Sequence, residues 1–257
     1  VSGIDLSKKS LGIMSGVVMA SLISDNGALT ELDVRSSGIC AEGSMHLSSA
    51  VLASASLIRF SKIPIKELRA NETNSLLMVD MGLGDTEGRV LAALIRDNTS
   101  LTDLDLRASN IGGESAEQLA AAVLATSCLL KFSEIPVAEL RRNEIKELDL
   151  SGKDLGPAEG RVLASVLDGC TSLEAANLLA NRFDEESTSM LLGLKKRSTT
   201  LSTLCGLKSD QPQAHFKELS PTCARLLAAD LETSTSVTQL NLSGSSLGLE
   251  GGKAISM

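Results

Sequence analysis

Four segments of the chain follow one pattern: "LTELDVRSSGI" from Leu29, "LTDLDLRASNI" from Leu101, "IKELDLSGKDL" from Ile145 and "VTQLNLSGSSL" from Val237. Each reads LxxLxLxxxxL with aliphatic substitutions. The LxL portion has a period of two, so Leu104 and Leu106 share one face of a strand and Asp103 and Asp105 the other. A Gly or acidic turn follows, then an Ala/Leu-rich stretch of helical spacing. In "EGRVLAALIRDN" (87–98), Val90, Leu91, Leu94 and Ile95 form one stripe. Pro157 and Pro221 stand near helix starts, where a missing N–H costs nothing. One strand and one helix cannot bury their own apolar faces. Stacking such units can, so the pattern predicts a solenoid. Full burial of each patterned Leu contributes roughly 1.5–3 kcal/mol.

The units follow a longer period. "LIRFSKIPIKELRANE" (57–72) has a close copy, "LLKFSEIPVAELRRNE" (129–144), 72 residues later. Each copy holds one unit of 16 residues and two of 28. Boundaries are expected near 1–28, 29–56, 57–72, 73–100, 101–128, 129–144, 145–172, 173–200, 201–236 and 237–257, within a single domain spanning 1–257. In the short unit Pro136 ends strand pairing, and only Val137 to Glu144 precede the next strand. That leaves room for one short helical turn, so a helix-poor coil is predicted every 72 residues. A third copy starts at Leu201 ("LSTLCGL") and is about eight residues shorter before its next strand, on aligning Leu219 with Leu155. An irregular loop is expected at 208–215, around Pro212. Both chain ends fall inside the compound period. The expectation is a window of a longer protein, or ends covered by neighbours.

These residues resemble the leucine-rich repeat family, and the 28-residue spacing resembles its ribonuclease-inhibitor-like subclass. The resemblance implies an α/β horseshoe solenoid, with a parallel β-sheet on the concave face and helices on the convex face. The FSxIPxxELRxNE pattern and "TLCGL" also resemble compound-repeat proteins of unicellular algae and other protists. The family usually carries Asn or Cys at the ninth repeat position, bonding the turn backbone. Here only Asn181 fits; Lys9, Ser37, Met81, Ser109, Lys153 and Ser245 occupy the other units. A Ser hydroxyl replaces part of that bonding and Met81 none, so a looser turn is expected near Met81.

Composition narrows the function. Aromatic residues make up 2%, with no Trp or Tyr, so the core must be aliphatic and base-stacking platforms are lacking. A net charge of −8 argues against nucleic acid. Five Cys, odd in number and without a CxxC pair, imply an intracellular, reducing compartment: cytoplasm or an organelle interior. "KKSLGIMSGVVMASLIS" has the outline of a signal peptide, but its pattern recurs as "DLGPAEGRVLASVLDG" (154–169) and reads as a repeat helix. No run reaches the roughly 18–20 apolar residues of a membrane span, so no direct membrane insertion is expected. His46 and His215 have no Cys or Ser at motif spacing and read as surface histidines. The glycines of "GLGDTEG" (82–88) coincide with a repeat turn, and "LEGGKA" (249–254) lacks the rest of a phosphate loop. The sequons at Asn71, Asn98 and Asn241 are short enough to arise by chance. No catalytic residue, cofactor, metal or small-molecule substrate is expected.

In the family, the fifth repeat position projects from the concave face. Here it is Asp5, Asp33, Leu77, Asp105, Asp149, Asn177 and Asn241, with Arg35 and Arg107 two residues after their aspartates. Glu31, Asp103 and Glu147 lie alongside. Either this is an acidic strip that meets a basic partner, or it is an ordinary solvated strand position. Arg69, Arg141, Arg142 and Glu144 could likewise form a periodic convex docking strip, or the short coils could be pure spacers. The resemblance implies a non-enzymatic scaffold or structural subunit that binds other proteins, up to a large multi-subunit assembly. Two alternatives stand beside it. One is a regulator of the Ran GTPase-activating type, whose acidic tail has no counterpart here. The other is the sensor portion of a longer receptor.

Overall fold

The structure is a computed structural model that describes residues 3–12, 14–24, 26–208, 210–217 and 219–256. Contacts group the chain into two compact units, Val1–Ser133 and Glu134–Met257.

The first unit opens with β1 (Gly3–Asp5), α1 (Ser15–Ser24), β2 (Glu31–Asp33), α2 (Ala41–Ala53) and β3 (Arg59–Phe60). The strands pair in parallel at the repeat spacing: Gly3 faces Glu31, and Glu31 faces Arg59. Alternation buries Leu32 and Phe60 beneath the sheet. On the helical side, α1 and α2 pack through glycines. A Cβ on Gly16 would lie 2.5 Å from the Cα of Gly43.

The short coil then breaks the parallel pattern. Ser61 (φ 48°) and Lys62 (φ 70°) are both left-handed, so the chain reverses within two residues. β4 (Ile63–Pro64) runs back antiparallel on β3, with Phe60 opposite Ile63. α3 (Ile65–Arg69) follows, five residues long. β5 (Ser75–Leu77) starts a separate sheet, completed by β6 (Asp103–Asp105) and β7 (Lys131–Phe132), with α4 (Asp85–Ile95) and α5 (Gly113–Ala125) between strands. The helix-poor coil is therefore present, and it also closes one sheet before the next begins. The second copy repeats the left-handed pair at Ser133 (φ 48°) and Glu134 (φ 71°).

The second unit contains α6 (Val137–Arg141), β8 (Glu147–Asp149), α7 (Pro157–Asp168), β9 (Ala175–Asn177) and α8 (Glu185–Arg197). After these come β10 (Gln213–His215), α9 (Pro221–Leu231), β11 (Gln239–Asn241) and α10 (Gly248–Ile255). β8 and β9 are parallel, and Ala175 bridges Thr203 in the same sense. Pro157 and Pro221 open α7 and α9 as expected.

The irregular loop expected at 208–215 is corrected in its second half. Gln213 to His215 form β10, paired in parallel with β11. Ala214 is buried, and the Pro212 carbonyl accepts from the backbone N–H groups of Thr238 and Gln239. Burial and backbone pairing outweigh the polar local sequence. Ser209, within that loop, lies outside the described residues.

Asn181 fulfils the ninth-position role. Its Oδ1 accepts from Lys153 N (3.2 Å) and Leu155 N (3.0 Å), and its Nδ2 donates to Leu150 O (2.8 Å) and Leu178 O (3.0 Å). Ser245 Oγ replaces a part of this, accepting from Leu219 N at 3.3 Å. Ser109 does not: its hydroxyl is buried without a partner. At Met81 the turn is held from the coil two units back instead. Arg35 Nη1 donates to Met81 O (3.4 Å) and Ser36 N to Gly82 O (3.2 Å). Within each compact unit the described coils stack short parallel strands against helices in the leucine-rich repeat α/β solenoid pattern.

Candidate functional site

Strand pairing brings the fifth-position residues together within each sheet. Asp5 stands beside Asp33, Leu77 beside Asp105, and Asp149 beside Asn177. Their chemistry then divides according to the residue two positions on.

In the D-x-R coils the carboxylate is already occupied. Arg35 folds back on Asp33, with Nε to Oδ1 at 3.0 Å and Nη2 to Oδ2 at 2.8 Å. Arg107 does the same to Asp105 at 2.9 and 2.8 Å. Asp33 and Asp105 are buried, only 8% and 6% exposed. Neither matches the sequence picture of a projecting carboxylate. A forked guanidinium beside an acid two residues away satisfies it locally.

In the D-x-S coils the carboxylate stays exposed. Ser7 N donates to Asp5 Oδ1 (2.9 Å), and Ser151 donates to Asp149 Oδ1 through N (3.0 Å) and Oγ (2.7 Å). The Ser151 hydroxyl and N–H hold the Asp149 carboxyl below its ordinary value, and Ser7 does so for Asp5. Glu147 and Asn241 are exposed, and Asn177 is half-buried. In the first unit, basic side chains interleave. Arg59 pairs in register with Glu31, and Lys62 helps to line a 170 Å³ groove with Asp5 and Asp33. In the second unit, Glu147 and Asp149 are both exposed on β8.

The four residues expected to form a convex strip do different things. Arg69 reaches back over the end of α2, donating to Leu52 O (2.5 Å) and Ser54 O (3.0 Å). It neutralises carbonyls that a helix end leaves without partners. Arg142 and Glu144 form an exposed bidentate pair at 2.9 and 3.0 Å. Arg141 ends α6 and is exposed. The sequence reading did not foresee the role of Asn98. Its Nδ2 donates to Leu68 O (2.8 Å), and its Oδ1 accepts from Leu101 N (2.7 Å). This asparagine ties a 28-residue unit to the short coil before it.

His46 and His215 are both exposed. Among the described residues no group of three or more His, Cys, Asp or Glu side chains could hold a metal ion. No described helix is long and apolar enough to cross a membrane.

The family described as Leucine Rich repeat matches residues 97–120 and 233–256. No curated protein sequence matches the chain. Among solved structures it is similar to the C-terminal domain of tropomodulin from Caenorhabditis elegans, at 16% identity and a TM-score of 0.26. That likeness covers 71% of this chain and 92% of the other.

Proposed function

We propose that this leucine-rich repeat chain is a non-enzymatic protein-binding scaffold of the ribonuclease-inhibitor-like kind, a subunit of a larger intracellular assembly. The 28-residue strand register and the helices of ten to thirteen residues support the subclass. The thiol state of Cys128, Cys170, Cys205 and Cys223 supports a reducing compartment.

The observation that carries the binding reading is the exposed strand face of β8, where Glu147 and Asp149 lie open beside Asn177. This patch suits a basic protein surface, with Asn241 adding a polar contact on β11. Asp33 and Asp105, already bound to Arg35 and Arg107, serve the coil itself. Complementary charge of this kind contributes chiefly association rate and selectivity.

The test is affinity purification from the native source with the wild-type chain and with a Glu147→Lys/Asp149→Lys variant. Partners retained by the wild type should be lost from the variant. An identical set of retained proteins would reject the strip.

A further inference from the structure

Among its described residues the third copy of the compound repeat has no counterpart of the short helix that the first copy carries, and a cavity of about 490 Å³ lies there. The first copy shows what such a place holds. There α3 lies between the end of α2, Ile58 just before β3 and the exit of α4. Arg69 donates to Leu52 O and Ser54 O, Lys66 N donates to Ile58 O (3.3 Å), and Asn98 Nδ2 donates to Leu68 O.

The cavity in the second unit has the same three walls. They are the end of α8 (Lys196, Ser198), the stretch Leu201–Thr203 and the exit of α9 (Thr233–Ser236). In repeat register Lys196 and Ser198 stand where Leu52 and Ser54 stand. Among the described residues no donor reaches the carbonyl oxygen of either, whereas the equivalent oxygens hold the Arg69 guanidinium. Ser236 Oγ, on the opposite wall, is buried without a hydrogen-bond partner. Lys196 and Lys208 are exposed at the rim. Their charge suits acidic residues flanking an arginine, as Glu67 and Glu72 flank Arg69.

The floor has been rebuilt. Lys195 and Asp230 occupy the places of Val51 and Leu94, and they form an ion pair. Asp230 also accepts from Leu204 N (2.9 Å), Cys205 N (2.8 Å) and Thr203 Oγ1 (2.5 Å). A carboxylate held by so many donors keeps the floor in shape without a helix above it. It also makes that floor polar where the first copy has an aliphatic contact.

We propose that this slot is a docking site for a short helical segment of a partner protein, bearing an arginine between acidic residues. The guanidinium would sit on the carbonyls of Lys196 and Ser198, with a polar residue before it facing Asp230. The proposal shares with the scaffold reading only the idea that the chain binds protein. It does not involve the strand face, and the two can fail separately.

The test uses two synthetic peptides based on residues 63–72 of this chain: IPIKELRANE, and the same peptide with Gln in place of Leu68. Each is titrated onto the whole chain by calorimetry. Both are expected to bind, the Gln peptide more tightly, and replacing the arginine of either by Ala should weaken binding by about ten-fold or more. Thr235→Trp, which fills the slot from an exposed position, and Lys196→Glu, which reverses the rim, should each cost a similar factor. Asp149→Lys, on the strand face, should leave peptide affinity unchanged. No saturable binding up to about 1 mM, or affinity indifferent to the arginine or to Thr235→Trp, would overturn the proposal.

Discussion

The hydroxyl of Ser61 donates to Glu87 Oε1 at 2.7 Å while accepting from the backbone N–H of Val34 at 3.2 Å. Both side chains are buried, and the other Glu87 oxygen accepts from Gly84 N at 2.9 Å. One hydroxyl thus joins the strand coil, the left-handed turn of the short coil and the start of α4. Ser133 repeats the first half of this arrangement, accepting from Leu106 N at 3.0 Å. In the third copy the equivalent positions are Cys205 and Cys223, both buried.

Ser61→Ala should therefore be costly for so small a change. It leaves the Val34 N–H without its acceptor and Glu87 without its donor. A loss of about 2–3 kcal/mol in urea unfolding is expected. Ser49→Ala, whose hydroxyl bonds Met45 O on the exposed face of α2, is the control and should stay within about 0.5 kcal/mol.

Glu87 should also leave a mark on the pH dependence of stability. Burial raises its carboxyl above the ordinary 4.5. Between those two values the folded chain keeps a proton that the unfolded chain has released. Stability from this group is thus fully present below pH 4.5 and is lost as pH climbs through the raised value. Glu87→Gln removes that component, so its urea midpoints should fall less steeply than wild type above pH 4.5. Parallel profiles for the two proteins would contradict the assignment.

The ninth-position residues offer a paired comparison. Asn181→Ala strips partners from four backbone groups and should cost about 3 kcal/mol. Ser109→Ala removes a hydroxyl that has no partner and should be neutral within about 0.5 kcal/mol. Thermal unfolding of the two variants, made in parallel, reads the difference.

Gly16→Ala pushes a methyl group into the backbone of Gly43, which cannot move aside as a side-chain tip could. A cost of about 1–3 kcal/mol is expected. Gly27→Ala points into open space at an ordinary φ and should be neutral or stabilising by up to about 1 kcal/mol. Equal melting temperatures for the two variants would show that α1 does not pack on α2 this closely.

The buried pair Lys195–Asp230 should respond asymmetrically. Asp230→Ala leaves the Lys195 ammonium without its counter-charge and the Leu204 N–H without an acceptor, at about 3–5 kcal/mol. Lys195→Met leaves a carboxylate that still accepts from two N–H groups and Thr203, and should cost less. The order of the two urea midpoints is the measurement.

The repeat architecture was legible because it is written in spacing. Leu at period two, an aliphatic stripe at helical period and a 28-residue recurrence dictate strand, helix and stack without reference to any distant contact. The 72-residue recurrence likewise marked where helix would be lacking, and five-residue helices stand there at Ile65 and Val137. The antiparallel return of Ile63–Pro64 was hidden, because Ser61 and Lys62 carry no Gly or Asn to announce left-handed backbone. So was β10, whose polar sequence is overruled by the burial of Ala214 and by pairing with β11.

For the candidate surfaces the division lies at the same point. The sequence by itself determined which residues share the strand face, since alternation needs only local geometry. Only the tertiary structure decided which of them are free. Asp33 and Asp149 occupy the same repeat position, yet one is bound by Arg35 and buried while the other is exposed. Ser61 meets Glu87, and Arg69 meets Leu52 O, only when coils stack. Availability depends on distances between coils, and repeat spacing carries register but not side-chain reach.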